Sequence, residues 1–347
     1  MIIMFHRRLR IFFPNILLCI FLLFGGLIGC SQTTDTKTTE SKKNNEEVKR
    51  MPDKKTEVTL GLPSRRNTSY LPIYIALKKG YFQKYNLNVK LTYVQGGVLA
   101  LRGLQTGDFH LISSLPESVI TSVSEGASVK LIGTLDNQSM YSIYVSKDIK
   151  NLDDLKGKNA AGMVPGNGTS IQLEYWLRKQ GLEPNKDVRI IYAGDNTERL
   201  QTVQQKQAAV TILSPPTDLK AEKLGLKRYL MRDVLKTYNH NMIVTSDVMI
   251  REKPQVIYAF MSALSDAIAF TKDEKNRDEA IKVMIDEFEM SKADAEKSVD
   301  FVIPALADKG KINIEGLKWA MDTVKKANIT KKNVTLDKML DERFYAK

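Results

Sequence analysis

The sequence predicts an α/β fold of two similar halves with a cleft between them, and three observations carry that expectation. From Thr56 onward, short apolar runs alternate with amphipathic stretches, as in strands separated by helices. A pattern of strand, glycine-bearing turn, helix, strand and proline-started helix occurs twice, 99 residues apart. In it Val89, Tyr93, Leu101, Leu104, Leu111 and Pro116 are answered by Val188, Tyr192, Leu200, Val203, Val210 and Pro215. Finally, 43% of the 347 residues are hydrophobic, which supports two ordinary cores.

The chain opens with Arg7, Arg8 and Arg10, then an apolar run from Ile11 to Gly29, then Cys30. A basic start followed by an apolar stretch reads as a secretory signal over residues 1–29. The small residue before Cys30 resembles the lipobox of bacterial lipoproteins, and that resemblance implies cleavage with lipid attached to Cys30. An uncleaved anchor is the competing reading, since the run approaches the roughly 20 residues a spanning helix needs. Pro14, Asn15 and the terminal cysteine argue against it. The other of the 2 cysteines, Cys19, would leave with the signal, so no disulfide is expected. Residues 30–55 are polar and charged, too poor in apolar surface to offset the entropy of ordering, and read as a flexible tether.

The first strand is expected at Val58-Thr59-Leu60 and the next from Val89 to Val94, broken at Gly96-Gly97. A helix carrying Leu99, Leu101 and Leu104 should end near Gly107, before a strand from Phe109 to Ile112. Pro116 suits the first turn of a helix, where its missing N–H is no loss, and Gly126 suits its end. Tyr141–Val145 and Met242–Thr245 are apolar enough to carry the chain between the halves. The helical spacing of Val256, Phe260, Leu264 and Ile268, and of Ile281, Ile285 and Phe288, places further helices on the first half. The expected lobes are therefore 56–146 with 242–347, and 147–241.

The formal charge of +12 falls to +9 when Arg7, Arg8 and Arg10 are removed. Its lysines are interspersed with acids, as in Asp273-Glu274-Lys275, and form no aromatic-interleaved stripe, so nucleic acid is not an expected partner. Catalytic and metal chemistry find little support. Of the 3 histidines His6 lies in the signal, and His110 and His240 are far apart. There is no Gly-x-Ser-x-Gly elbow, and Gly166-Asn167-Gly168-Thr169-Ser170 lacks the lysine of a phosphate loop. His110, flanked by Phe109 and Leu111, reads as a structural strand residue, and Trp176 as core.

Leu71-Pro72-Ile73-Tyr74-Ile75-Ala76-Leu77-Lys78-Lys79-Gly80-Tyr81-Phe82 with Leu87-Asn88-Val89, Gln105-Thr106-Gly107-Asp108-Phe109, and Asn151-Leu152-Asp153-Asp154-Leu155-Lys156-Gly157-Lys158 together resemble solute-binding proteins of ABC importers. The type is that of the nitrate, sulfonate, taurine and thiamine-pyrimidine-precursor binders, and the likeness runs from about Val58 to Asp247. It implies a two-lobed periplasmic-binding-protein-like (type II) fold. The implied protein is a monomeric receptor that is not an enzyme and uses no cofactor. It would sit on the extracytoplasmic face of the cell membrane, lipid-anchored through Cys30, and deliver a small solute to a permease with its ATPase subunit. A biosynthetic enzyme for the thiamine pyrimidine, and a sensory or adhesive lipoprotein on the same fold, are the alternatives.

In such a fold the ligand contacts come from loops at the C-terminal ends of strands. The candidate loops are Arg65 to Tyr70, Gly96-Gly97 and Ser113 to Glu117 in the first half, and Pro165 to Ser170, Gly194 to Thr197 and Ser214 to Thr217 in the second. From them we select Arg66, Ser69, Tyr70, Gly97, Ser113, Ser114, Gly168, Thr169, Ser170, Asn196 and Ser214 as candidate ligand-binding residues. Gly168-Thr169-Ser170 open a helix, so exposed N–H groups beside two hydroxyls suit an anionic or carbonyl-bearing ligand. Ordinary capping by Thr169 or Ser170 explains them equally well. An organic sulfonate or related anion is favoured. A pyrimidine would instead use Tyr70, Tyr74 and Tyr141 for stacking.

Overall fold

In the computed structural model, which describes residues 50–345 except Arg66 and Lys331, ten strands form two five-stranded sheets. The expected signal, Cys30 and most of the tether lie outside the described residues, as does Arg66. The elements below belong to the unit Val48–Lys347. The first sheet contains β1 (Thr56–Leu62), β2 (Leu87–Tyr93), β3 (Leu111–Ser114), β4 (Val129–Thr134) and β10 (Met242–Ser246), in the order β2-β1-β3-β10-β4. The second contains β5 (Ser142–Val145), β6 (Asn159–Gly162), β7 (Arg189–Tyr192), β8 (Val210–Leu213) and β9 (Lys227–Leu230), in the order β7-β6-β8-β5-β9.

The two sheets share one plan. β2-β1-β3 and β7-β6-β8 are parallel, and each trio is followed by an antiparallel strand, β10 or β5, that also pairs with the edge. The 99-residue repeat falls on equivalent elements: Tyr93 and Tyr192 end β2 and β7, and Leu111 and Val210 begin β3 and β8.

Alternate side chains enter opposite layers, as strand pleating requires. Leu111 and Ile243 join the core under the helix Pro254–Lys272, while Ile112 and Val244 face the helices Pro116–Ser124 and Ile314–Lys326. In the second sheet Ile143 and Ala160 pack toward the helix Gly168–Lys179, and Tyr144 and Ala161 toward the other face. Strands covered on both faces account for the apolar runs.

Three expectations shift. The strand expected at Phe109–Ile112 runs instead from Leu111 to Ser114: Phe109 N–H donates back to Gly103 O at 3.2 Å, and its ring fills space left by Gly61 and Gly103. A Cβ at those glycines would stand 2.7 and 2.4 Å from the ring. Ser113 and Ser114, expected in a loop, lie in β3, paired with Ile243 and Met242. The run Ser142–Val145, counted with the first half, is built into the second sheet.

The chain passes between sheets through residues 135–141 and 235–241, just upstream of the strands expected to carry it. The two crossings hydrogen-bond to each other: Leu135 N–H donates to Asn241 O at 2.8 Å, Tyr238 N–H to Asn137 O at 3.2 Å and His240 N–H to Asp136 O at 3.3 Å. No helix among the described residues is long and apolar enough to cross a membrane.

Candidate functional site

A cavity of about 370 Å³ opens between the sheets, at the C-terminal ends of β1, β2, β3, β6, β7 and β8. Each of the six expected loops supplies part of its wall, through Asn67 and Tyr70, Gly96 and Gly97, Leu115, Asn167 and Thr169, Asp195 and Asn196, and Ser214. Tyr141, His240 and Asn241 from the crossings close the floor.

Of the selected residues, Tyr70, Gly97, Thr169, Asn196 and Ser214 line the cavity. Ser69, Ser113, Ser114, Gly168 and Ser170 are buried behind the wall. Ser114 Oγ donates to Leu115 O at 3.3 Å and sits against Gly97, where a Cβ would come within 2.9 Å. Ser170 Oγ accepts from Met163 N–H at 3.0 Å. The helix Gly168–Lys179 is capped by neither Thr169 nor Ser170: Asn167 Oδ1 accepts from Thr169 N–H at 2.8 Å. That leaves the Thr169 hydroxyl free to bond Tyr141 Oη at 2.8 Å on the cavity wall. His110 is structural, its Nδ1 accepting from Thr59 N–H at 3.0 Å. Trp176 is core.

The group that sequence reasoning missed is Arg199, whose side chain is buried in the wall. Its Nε donates to Ile212 O at 2.9 Å, Nη1 to Gly194 O at 2.6 Å and Nη2 to Asn196 Oδ1 at 2.6 Å. All three acceptors are neutral, so the guanidinium is oriented without a paired carboxylate, and Asp195 and Glu198 act on it only through space. Burial pulls its pKa down to about 10, which leaves it cationic near neutrality. The neighbouring Asp195 is committed elsewhere, its Oδ1 accepting from Thr197 and Glu198 N–H at 2.8 and 3.0 Å. Asn196 passes the order on, donating from Nδ2 to Ser214 Oγ at 2.9 Å.

Opposite, the helix Gly97–Thr106 starts on the cavity with Gly96 as its N-cap at φ +86°, a left-handed value natural to glycine, and no side chain caps its first N–H groups. Arg65 lies over the Tyr93 ring at 5.2 Å, and Tyr93 Oη shares a hydrogen bond of 2.6 Å with Tyr74 Oη. The floor is aromatic: the Tyr141 and His240 rings meet edge to face at 4.6 Å. Burial pushes the His240 pKa down to about 3, so the imidazole is neutral, its Nδ1 accepting from Met140 N–H at 3.3 Å. Cationic groups, N–H donors and aromatic rings therefore line one cavity, an environment for an anion carrying an organic body.

This architecture has known counterparts. The alkanesulfonate-binding protein SsuA from Xanthomonas axonopodis pv. citri, solved bound to MOPS, superposes with a TM-score of 0.69 at 16% identity, covering 84% of this chain and all of that one. The periplasmic nitrate-binding protein NrtA from Synechocystis PCC 6803 also gives 0.69 at 16% identity, over 85% and 88% of the two chains. The fold is thus that of the periplasmic binding proteins. In sequence, a Haemophilus influenzae protein named for thiamine biosynthesis is 29% identical over 139 residues, 40% of this chain and 44% of that protein. The nitrate/nitrite binding protein NrtA of Synechococcus elongatus is 22% identical over 256 residues, 65% of this chain and 57% of its own length. The chain thus spans about half the length of these relatives. Residues 67–278 match the family model described as NMT1/THI5 like, and over that majority of its length the chain belongs to the NMT1/THI5-like family.

Proposed function

We propose that the protein is the extracytoplasmic solute-binding lipoprotein of an ABC importer. It takes up a small organic anion, a sulfonate or a related oxyanion, between two lobes and delivers it to a permease with its ATPase subunit. The observation that carries this reading is Arg199, a buried cation held by neutral acceptors on the wall of a cavity between two sheets. The nitrate- and sulfonate-binding proteins that share the fold support the receptor reading. The lobes are centred on the two sheets, joined at 135–141 and 235–241, and the protein acts as a monomer anchored through Cys30.

A second reading, a pyrimidine as ligand, is favoured by Tyr70, Tyr93, Tyr141 and His240 around the cavity. A thermal-shift screen of alkanesulfonates, taurine, nitrate, bicarbonate and aminopyrimidines separates the two. A ligand at 100 times its Kd stabilises the protein by about 2.7 kcal/mol. Stabilisation by sulfonates that vanishes in Arg199→Met supports the proposal, and stabilisation by pyrimidines alone overturns the choice of solute. Mass spectrometry of the membrane fraction tests the anchor, and an unmodified Cys30 with the signal attached refutes it.

A further inference from the structure

Behind the cavity wall, between Leu115 and Ser118 that line it, Glu117 occupies a joint between the two halves of the chain. It is the second residue of the helix Pro116–Ser124, packed on the first sheet, yet its side chain is fully buried against elements of the second. Tyr238 Oη, from the return crossing, donates to Glu117 Oε2 at 2.7 Å. Gly168, first residue of the second-sheet helix, is so close that a Cβ there would stand 2.5 Å from the same oxygen. Glu117 Oε1 is buried without a hydrogen-bond partner.

Among the described residues no cation is paired with the carboxyl. The titratable groups that face it are the phenols of Tyr238 and Tyr141. Behind them lie the His240 ring, in contact with both phenols and held neutral by burial, and the Arg199 guanidinium, whose charge acts on Tyr141. On the helix Ile314–Lys326, which touches Tyr238 through Trp319, Glu315 and Lys318 are exposed. On the Gly168 helix, Glu174 is paired with Arg178. Desolvation raises the Glu117 pKa from 4.5 to about 7, against the lowering effect of the Tyr238 hydrogen bond.

We propose that Glu117 is a proton-operated latch between the halves: neutral, it stays packed beneath Tyr238 and Gly168 and holds the cleft shut; ionised, it draws water into the joint and favours opening. The sign follows from linkage. Between pH 4.5 and about 7 the shut form keeps a proton that a hydrated Glu117 has lost, so closure weakens as pH rises through that window and levels off above it. The inference needs a cleft that opens, as the receptor reading does, but no particular solute.

The test uses the full chain without ligand. Small-angle scattering from pH 5 to 8.5 should show the radius of gyration rising. Trp319, in ring contact with Tyr238 at 5.6 Å, should report the same change in its emission, levelling off by about pH 7. Glu117→Gln, neutral at every pH and of the same shape, should abolish both responses. Tyr238→Phe removes the bond that favours the charged form and should move the levelling-off to higher pH. A response that persists in Glu117→Gln would belong to Asp136, buried within the crossings, and not to the latch. A flat wild type, an unaltered response in Glu117→Gln, or an unmoved levelling-off in Tyr238→Phe overturns the latch, whatever solute is found.

Discussion

Asn241 donates from Nδ2 to Asp136 Oδ2 at 2.6 Å, so a buried side-chain hydrogen bond reinforces the backbone bonds between the outgoing crossing and the returning one. Asp136 is fully buried, its other oxygen has no hydrogen-bond partner, and desolvation raises its pKa from 3.8 to about 8. The folded protein therefore holds a proton that the unfolded chain releases above pH 3.8, and the contribution of Asp136 to stability falls as pH rises toward 8. Asp136→Asn, which keeps an acceptor but cannot ionise, should raise the melting temperature at pH 8.5 and leave it nearly unaltered at pH 4. Melting curves of both proteins across that range check the prediction.

Arg199→Lys should behave as a disruptive change. A lysine ammonium cannot reach Ile212 O, Gly194 O and Asn196 Oδ1 in one plane as the guanidinium does. Unfilled buried acceptors should lower stability by about 1–3 kcal/mol in urea denaturation. Titration calorimetry with whichever anion emerges from the screen should show affinity reduced about tenfold or more, equivalent to about 1.4 kcal/mol. Unaltered affinity would remove Arg199 from the site.

Thr169 and Ser170 should separate cleanly. Thr169→Ala removes a hydroxyl from the cavity wall and leaves the Tyr141 phenol without its partner, so it should weaken binding. Ser170→Ala should spare binding and cost about 1 kcal/mol of stability through the lost Met163 bond. Asn167→Ala should cost about 1 kcal/mol through the lost cap. Paired denaturation and binding measurements on the three variants decide the assignment.

Gly103→Ala should destabilise although alanine favours helices. The new Cβ would stand 2.4 Å from the Phe109 ring, in a space already filled, and overpacking of this kind costs about 1–3 kcal/mol. The double variant Gly103→Ala, Phe109→Leu should recover part of the loss in a denaturant titration.

The succession of strands and helices within each repeat and the loops around the cavity were legible because they follow from spacing: Leu111 and Val210, matched 99 residues apart, both begin strands, and loops collect at the ends of such strands. Arg199 was not legible. It lies in a polar helix among Thr197, Glu198, Gln201 and Thr202, where arginine ordinarily meets solvent, and only the turn at Gly194 and the end of β8 enclose it. The serines erred in the opposite direction. Ser113 and Ser114 look like turn residues, but pairing with Ile243 and Met242 of β10, a strand far along the chain, holds them in the sheet. Contacts between segments far apart in sequence leave no local period to read.

The return of one antiparallel strand, β10, to the first sheet sets an order of assembly. β10 lies between β3 and β4, so the sheet that starts first in the sequence lacks an inner member until residue 246 has emerged. The second sheet draws all five strands from the continuous stretch 142–230 and can close earlier. During synthesis β4 must wait for a neighbour encoded more than a hundred residues later, so the half of the molecule begun first is the half completed last.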